Sequence, residues 1–309
     1  MIKKIYLARH QGFCMGVKRA IKIAEETADR LAGKENVTIL NEIVHNEAVV
    51  EKFRQKGVGQ VLNVDQVDRG TLIISAHGIS PEIVHRAEAK GLTVVDATCP
   101  LVTRIYEIIE KAIGQGYYII HFGEAHHDET AGVVGHAPDR ITVVGNKEEM
   151  LALPDWKDRK LGLTVQTTAH VDLFNEIKAV ALEKWPHIKV FNTVCNATTQ
   201  RQSAIMELAP KVDIILVVGS RSSANSNRLT AISEAACGRG RLINSKDDID
   251  PNWFEAADVN NVGVSAGAST PQFLVDAVIE RLVEISNGRA EVIIPVRNKP
   301  AETNSSARR

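Results

Sequence analysis

A strand–cysteine–helix unit occurs three times in 309 residues, and this repeat limits the possible folds more than any other feature. An apolar, β-branched run leads into each of three cysteines: residues 5–8 before Cys14, 92–95 before Cys99 and 188–191 before Cys195. After each cysteine, apolar residues recur at helical spacing over 17–31, 101–113 and 198–208, and Pro100 suits a first helical turn. A second strand in each unit then ends in polar residues. Residues 37–40 lead to His45-Asn46, 117–122 to His127-Asp128-Glu129, and 214–218 to the run from Ser222 to Asn227. A short strand (61–64, 141–144, 241–244) precedes a last one, which stops at Ser75-Ala-His77-Gly78, Gln166-Thr167-Thr168 or Ala266-Gly-Ala-Ser269. Helices over 81–90, 171–184 and 271–285 close the units.

Strands alternating with helices indicate parallel sheets, in which polar residues at the carboxyl ends of strands form the ligand crevice. The expectation is an α/β fold of three small domains, mainly parallel, arranged around a pseudo-threefold axis and a central cavity. The domains run over 14–98, 99–194 and 195–290, with strand 1–13 packing on the third and 291–309 forming a C-terminal strand and a loose polar tail from 296. Single cores stop growing near about 250–300 residues, so several domains suit this length.

Lys plus Arg number 37 against 38 for Asp plus Glu, so no basic excess points to nucleic acid or a membrane surface. The apolar run at 5–8 is too short for a signal-peptide core, and runs such as 214–218 fall far below the roughly 20 residues that span a bilayer. The sequence predicts a cytoplasmic protein. In that compartment the four cysteines stay reduced, leaving buried thiols or metal ligands.

One cysteine at a strand end is ordinarily a small buried hydrophobe. Three at equivalent places, each opening a helix whose dipole favours a thiolate, suit a tetrahedral metal or an iron-sulfur cluster. Three ligands to a four-iron cluster leave one iron open to substrate. Cys237, at the apparent helix end Ala235-Ala-Cys-Gly, lies off the repeat and reads as structural. His45, His77 and His127 each occupy a strand end facing the shared cavity. With Ser223, Asn225 and Ser269 from the third unit they suit a diphosphate, although Ser and Asn also commonly cap loops. His10, His85, His121, His136, His170 and His187 read as ordinary surface or core residues. Glu129, in a loop two residues past His127, can pass protons within a closed site. No Gly-x-Gly-x-x-Gly follows a strand, so any electrons come from elsewhere than a nucleotide bound on this chain.

These residues lie in motifs that closely resemble the 4-hydroxy-3-methylbut-2-enyl diphosphate reductase (LytB/IspH) family over nearly the whole chain. The motifs are Gly12-Phe-Cys14-Met-Gly-Val, Val44-His45-Asn46, Ser75-Ala-His77-Gly78, Asp96-Ala-Thr-Cys99-Pro-Leu-Val, Gln166-Thr167-Thr168, Cys195-Asn-Ala-Thr-Thr, Ser226-Asn227-Arg228-Leu229 and Ala266-Gly-Ala-Ser269. The resemblance implies that Cys14, Cys99 and Cys195 hold a [4Fe-4S] cluster whose open iron takes the substrate hydroxyl. It further implies that His45, His77, His127, Ser223, Asn225 and Ser269 grip the diphosphate, and that Glu129 and Thr167, with His127, organise protonation. Two electrons and two protons then remove the hydroxyl as water and give isopentenyl and dimethylallyl diphosphate. The implied electron donor is a ferredoxin or flavodoxin with its NADPH reductase.

Two positions depart from that pattern. Ala224 stands where a serine is expected, and His126-His127-Asp128-Glu129 stands where the family more often reads Gly-His-Pro-Glu, so His126 competes with His127 for its role. The spacing to Glu129 favours His127. Two other readings remain at this stage: a quinolinate-synthase-like iron-sulfur enzyme, and a phosphate-sensing module with a structural metal.

Overall fold

The computed structural model describes residues 2–255 and 259–295. The expected tail from 296 lies outside the described residues.

Strand β1 (Lys4–Leu7) comes first in the chain. The first sheet contains β2 (Val37–Leu40), β3 (Gly59–Val61), β4 (Thr71–Ile74) and β5 (Thr93–Asp96), in the order β3-β2-β4-β5. The second contains β6 (Tyr118–Phe122), β7 (Ile141–Val144), β8 (Leu161–Val165) and β9 (Lys189–Val190), in the equivalent order β7-β6-β8-β9. The third repeats the pattern with β10 (Ile214–Val218), β11 (Gly240–Ile243) and β12 (Asn261–Ala266). Its fourth place is taken by β1, and β13 (Glu291–Ile293) adds an edge, giving β11-β10-β12-β1-β13. Every pairing is parallel. The α/β architecture with three parallel sheets is therefore as the repeat predicts.

Among the described residues, ten α-helices cover the sheets: α1 (Met15–Leu31), α2 (Glu47–Gln55), α3 (Pro81–Ala89), α4 (Pro100–Gly114), α5 (Asp128–Gly135), α6 (Lys147–Ala152), α7 (Val171–Lys184), α8 (Asn196–Leu208), α9 (Ala224–Cys237) and α10 (Gln272–Ile285). Strands β4, β8 and β10 are buried along their whole length, as strands covered on both faces must be. Each sheet has its own core, exemplified by Phe53 and Ile73, by Phe174 and Trp185, and by Ile5 and Val264.

The observed elements depart locally from the expected ones. The strand expected over 61–64 is Gly59–Val61, because Asn63 caps a single 3-10 turn at Val64–Gln66 and Gln66 bonds back to its amide. Glu129 lies in the first turn of α5 and not in a loop. Helices α2, α5 and α6 are short and open on polar residues, so they carry too little apolar periodicity to be read from sequence.

One backbone bond recurs in all three units and brings the cysteines to the strand ends. The amide of Cys99 donates to Ala76 O at 3.0 Å, that of Cys195 to Thr167 O at 3.0 Å, and that of Cys14 to Ala268 O at 3.1 Å. Each acceptor lies just past the neighbouring strand, so each cysteine leaves its own strand, crosses that strand's end and opens a helix.

Candidate functional site

Cys14, Cys99 and Cys195 are the N-caps of α1, α4 and α8. His127 and Ser223 are the N-caps of α5 and α9, and α2 begins two residues past His45, capped by Asn46. Helix N-termini from all three units thus converge, presenting unpaired amides and the positive ends of their dipoles. The cavity they surround is lined by all three of these cysteines and by His45, His77, His127, Glu129, Thr167, Ser223, Asn225 and Ser269. Every site residue expected from sequence therefore faces this one cavity. His126 is exposed and does not line it; the six histidines read as ordinary do not line it either, and His121 among them is fully buried.

Contacts between units fix the walls. The Ser269 hydroxyl donates to His45 O at 2.8 Å, the Ser220 hydroxyl to Glu47 Oε1 at 2.8 Å, and Arg228 pairs with Glu124 at 3.1 Å. Ser269 consequently offers lone pairs to the cavity, since its proton is already committed. Ser223 Oγ instead accepts from Ser226 N at 3.3 Å, which leaves its proton free to donate. Asn225 is buried, and its Nδ2 has no partner. A buried amide donor left unpaired at a cavity wall is costly unless a ligand acceptor meets it.

The histidines form one cluster. His45 and His77 stack with ring centroids 4.0 Å apart, and His127 stands edge-on to both at 5.6 Å. His127 Nδ1 accepts from Glu129 N at 3.1 Å, which leaves its proton on Nε2 as a donor. Burial, with repulsion from His45, pushes His127 down to about 4. Burial, with repulsion from His45 and His127, pushes His77 well below the usual imidazole range. Both rings are therefore neutral donors at neutral pH until an anion arrives.

Glu129 is buried, with its carboxylate gripped by Thr167: the amide donates to Oε1 at 2.6 Å and the hydroxyl to Oε2 at 2.5 Å. Those bonds favour the ionised form, but burial outweighs them and raises the carboxyl to about 7. The group is thus poised to hold or release a proton near neutral pH.

The three cysteines at the cavity are free thiols. Burial pushes Cys99 and Cys195 up, with added repulsion from Cys14, so these two thiols need cationic partners to ionise. A Cβ on Gly16 would lie 2.4 Å from Cys99 Sγ and 3.9 Å from Cys14 Sγ. Only glycine leaves that space between the sulfurs, and the donor set fits a thiolate-bound iron-sulfur group.

Several neighbours were not singled out from the sequence. Glu42 accepts from His45 Nδ1 at 2.9 Å, and Asp128 Oδ2 lies 3.8 Å from His77 Nδ1. Glu42 lies three residues before His45, a spacing that gave a signal; Asp128 showed itself only as a departure from the family motif. Tyr106 backs the site, its hydroxyl 3.4 Å from His77 O and its ring stacked on His136. Cys237 lies away from the cavity, its thiol donating to Ser233 O at 3.2 Å beside an apolar cluster. A second concavity, about 830 Å³, is at the opposite end of the first sheet and is lined by Gly33, Gly57 and Gly91 with exposed Lys56 and Arg69. No buried ionisable group faces it, so the chemistry belongs to the cysteine-lined cavity. No helix among the described residues is long and apolar enough to cross a membrane.

With this geometry in place, comparison with known proteins gives a consistent result. The profile of the LytB protein family matches residues 5–283. A 4-hydroxy-3-methylbut-2-enyl diphosphate reductase of Geobacter metallireducens is 39% identical over 287 residues, covering 93% of this chain and 99% of the relative. Among solved structures, the E-1-hydroxy-2-methyl-but-2-enyl-4-diphosphate reductase of Plasmodium falciparum superposes with a TM-score of 0.90 at 31% identity, covering 98% of this chain and 95% of that one. A second solved structure, (E)-4-hydroxy-3-methyl-but-2-enyl diphosphate reductase, described as the terminal enzyme of the non-mevalonate pathway, gives a TM-score of 0.63 at 35% identity. It covers 92% of this chain and 100% of its own.

Proposed function

The chain belongs to the LytB protein family, and on that premise we propose how its residues carry out the family's reaction. The activity is that of a 4-hydroxy-3-methylbut-2-enyl diphosphate reductase, an iron-sulfur oxidoreductase of isoprenoid biosynthesis. It removes the substrate hydroxyl reductively to give isopentenyl and dimethylallyl diphosphate. Membership of this family decides against the quinolinate-synthase-like alternative and the sensor.

Cys14, Cys99 and Cys195 would hold a [4Fe-4S] cluster with one iron free of protein ligands. The free thiols and the space kept open by Gly16 support that assignment. When bound, the group supplies electrons one at a time and a Lewis acid that makes hydroxide a tolerable leaving group.

The remaining steps belong to side chains. His45, His77, His127, Ser223, Asn225 and Ser269 bind the diphosphate, Ser269 by turning its hydroxyl from His45 O to a phosphate oxygen. The unpaired Asn225 Nδ2, the Nε2 proton of His127 and the free hydroxyl of Ser223 supply neutral donors. As the anion enters, it draws protons onto the depressed imidazoles and strengthens those bonds. Glu129 holds the proton to be delivered, and Thr167 fixes both of its oxygens. Burial of Glu129 keeps bulk water from competing for that proton. A buried carboxyl that shares a cavity with three thiols and is gripped at both oxygens by Thr167 is the observation that carries this reading.

On the same reading the chain divides into domains 14–98, 99–194 and 195–290, with 1–13 on the third and 291–309 as a C-terminal strand and tail. The enzyme works in the cytoplasm with a ferredoxin or flavodoxin kept reduced by its NADPH reductase. Met15, 81% exposed beside Cys14, offers such a donor an apolar contact next to the thiols.

A panel of single substitutions tests the ligand assignment. Cys14→Ser, Cys99→Ser and Cys195→Ser each lose iron and activity after anaerobic reconstitution, whereas Cys237→Ser keeps both. Full iron content in any of the first three overturns the assignment.

A further inference from the structure

Helix α8, capped by Cys195, carries Arg201 at its second turn with only 5% of its surface exposed. The guanidinium donates to two backbone carbonyls, from Nη1 to Ala197 O at 2.8 Å and from Nη2 to Gly12 O. These carbonyls lie two residues after Cys195 and two residues before Cys14, so the side chain bridges the approaches to two of the cysteines. Nε is buried without a partner, and among the described residues no carboxylate pairs with the guanidinium.

A buried cation bonded only to neutral carbonyls is expensive, and folds ordinarily supply a counter-ion. The opposing charges that Arg201 feels are those of the Cys14 and Cys195 thiols. A lone thiol is a poor counter-ion while protonated. A cluster held by three thiolates carries fixed negative charge and gains more on reduction.

Resting on the reading that Cys14, Cys99 and Cys195 hold an iron-sulfur cluster, we propose that Arg201 is the buried counter-cation of that cluster and raises its reduction potential. It acts as a positioning residue, touching neither substrate nor reacting atoms. The physical reason is differential: a fixed positive charge stabilises the reduced, more negative cluster more than the oxidised one. A unit charge within about 12 Å, at an effective dielectric near 20, suffices for a tenfold change in the reduced-to-oxidised ratio.

The test is an anaerobic redox titration of the reconstituted protein, followed by electron paramagnetic resonance, on wild type, Arg201→Gln and Arg201→Lys. Arg201→Gln is expected to cut the reduced-to-oxidised ratio about tenfold at fixed potential, a midpoint lower by about 59 mV for one electron. Arg201→Lys, which keeps the charge and loses the forked geometry, is expected to titrate near wild type. Melting of the iron-free and loaded forms gives a second readout. The glutamine variant should gain less on cluster loading than wild type does, without melting lower when iron-free.

An unchanged midpoint in Arg201→Gln overturns the proposal. Equal losses of melting temperature in both forms would instead assign Arg201 to holding α8 against the segment around Gly12. If the glutamine variant does not fold, the lysine variant decides alone, and a tenfold shift despite its retained charge refutes the idea. A wild-type protein that takes up no cluster would instead defeat the reading of the cysteines, a distinguishable failure.

Discussion

Glu129→Gln separates the role of this carboxyl as a proton store from its role in packing. Glutamine has nearly the same shape and can still accept from the Thr167 amide that now donates to Oε1 at 2.6 Å. What disappears is the ionisable proton. In the fold the carboxyl titrates at about 7, against 4.5 for the ordinary group, because burial outweighs the Thr167 bonds. A folded-state value above the unfolded one means that the fold binds the extra proton, so its contribution to stability is complete below 4.5 and is lost as pH rises through about 7. Keeping the ionised form buried therefore costs on the order of 3 kcal/mol at pH 8, and the glutamine variant does not bear that cost. Denaturant unfolding of the iron-free protein should show the variant matching wild type at pH 4.5 and exceeding it by about that amount at pH 8. Turnover should move the opposite way, with kcat falling by roughly 10²–10⁴ and KM changing little. A variant that turns over at the wild-type rate, or one whose stability difference does not grow with pH, would refute the reasoning.

Three further outcomes follow from the same geometry. Gly16→Ala places a methyl 2.4 Å from Cys99 Sγ, so the variant should fold yet bind well under half the wild-type iron, as read by metal analysis; full loading contradicts the cradle. His127 is depressed to about 4, so the unfolded state binds protons more readily, and stability should fall as pH drops from about 6.5 through about 4. Diphosphate binding should reverse that depression, and calorimetry in buffers of different ionisation enthalpy should show proton uptake; uptake of zero means that the imidazoles do not meet the anion. Ala224→Ser restores a hydroxyl at a buried cavity position, and one hydrogen bond of about 0.5–1.5 kcal/mol should tighten substrate binding roughly two- to twelve-fold. An unchanged KM would place that side chain away from the diphosphate.

Much of this site could be read from the sequence because parallel α/β folds concentrate function at strand ends, and a threefold repeat makes equivalent strand ends comparable. Cys14, Cys99 and Cys195 stood out through their shared position, and the structure gives each the same backbone bond to the residues just past a neighbouring strand. What could not be read depends on burial and on contacts between distant segments. Glu129 looks like a solvated loop residue in sequence, yet it lies buried in the first turn of α5, where the His127 ring caps the amides and Thr167 reaches its carboxylate across 38 positions of chain. Arg201 looks like an ordinary helix-surface arginine, and only the fold brings it 189 positions along the chain to Gly12. Glu42 and Asp128 are similar cases, since an acidic residue becomes a partner of an imidazole only through local packing.

The most direct test of the central claim is anaerobic turnover. The protein is reconstituted with iron and sulfide, a reduced viologen dye is supplied, (E)-4-hydroxy-3-methylbut-2-enyl diphosphate is added, and dye oxidation is followed alongside product analysis. The account predicts oxidation that depends on substrate, two dye equivalents per molecule, and both isopentenyl and dimethylallyl diphosphate as products. Cluster-loaded protein that leaves the dye reduced in the presence of substrate would contradict it.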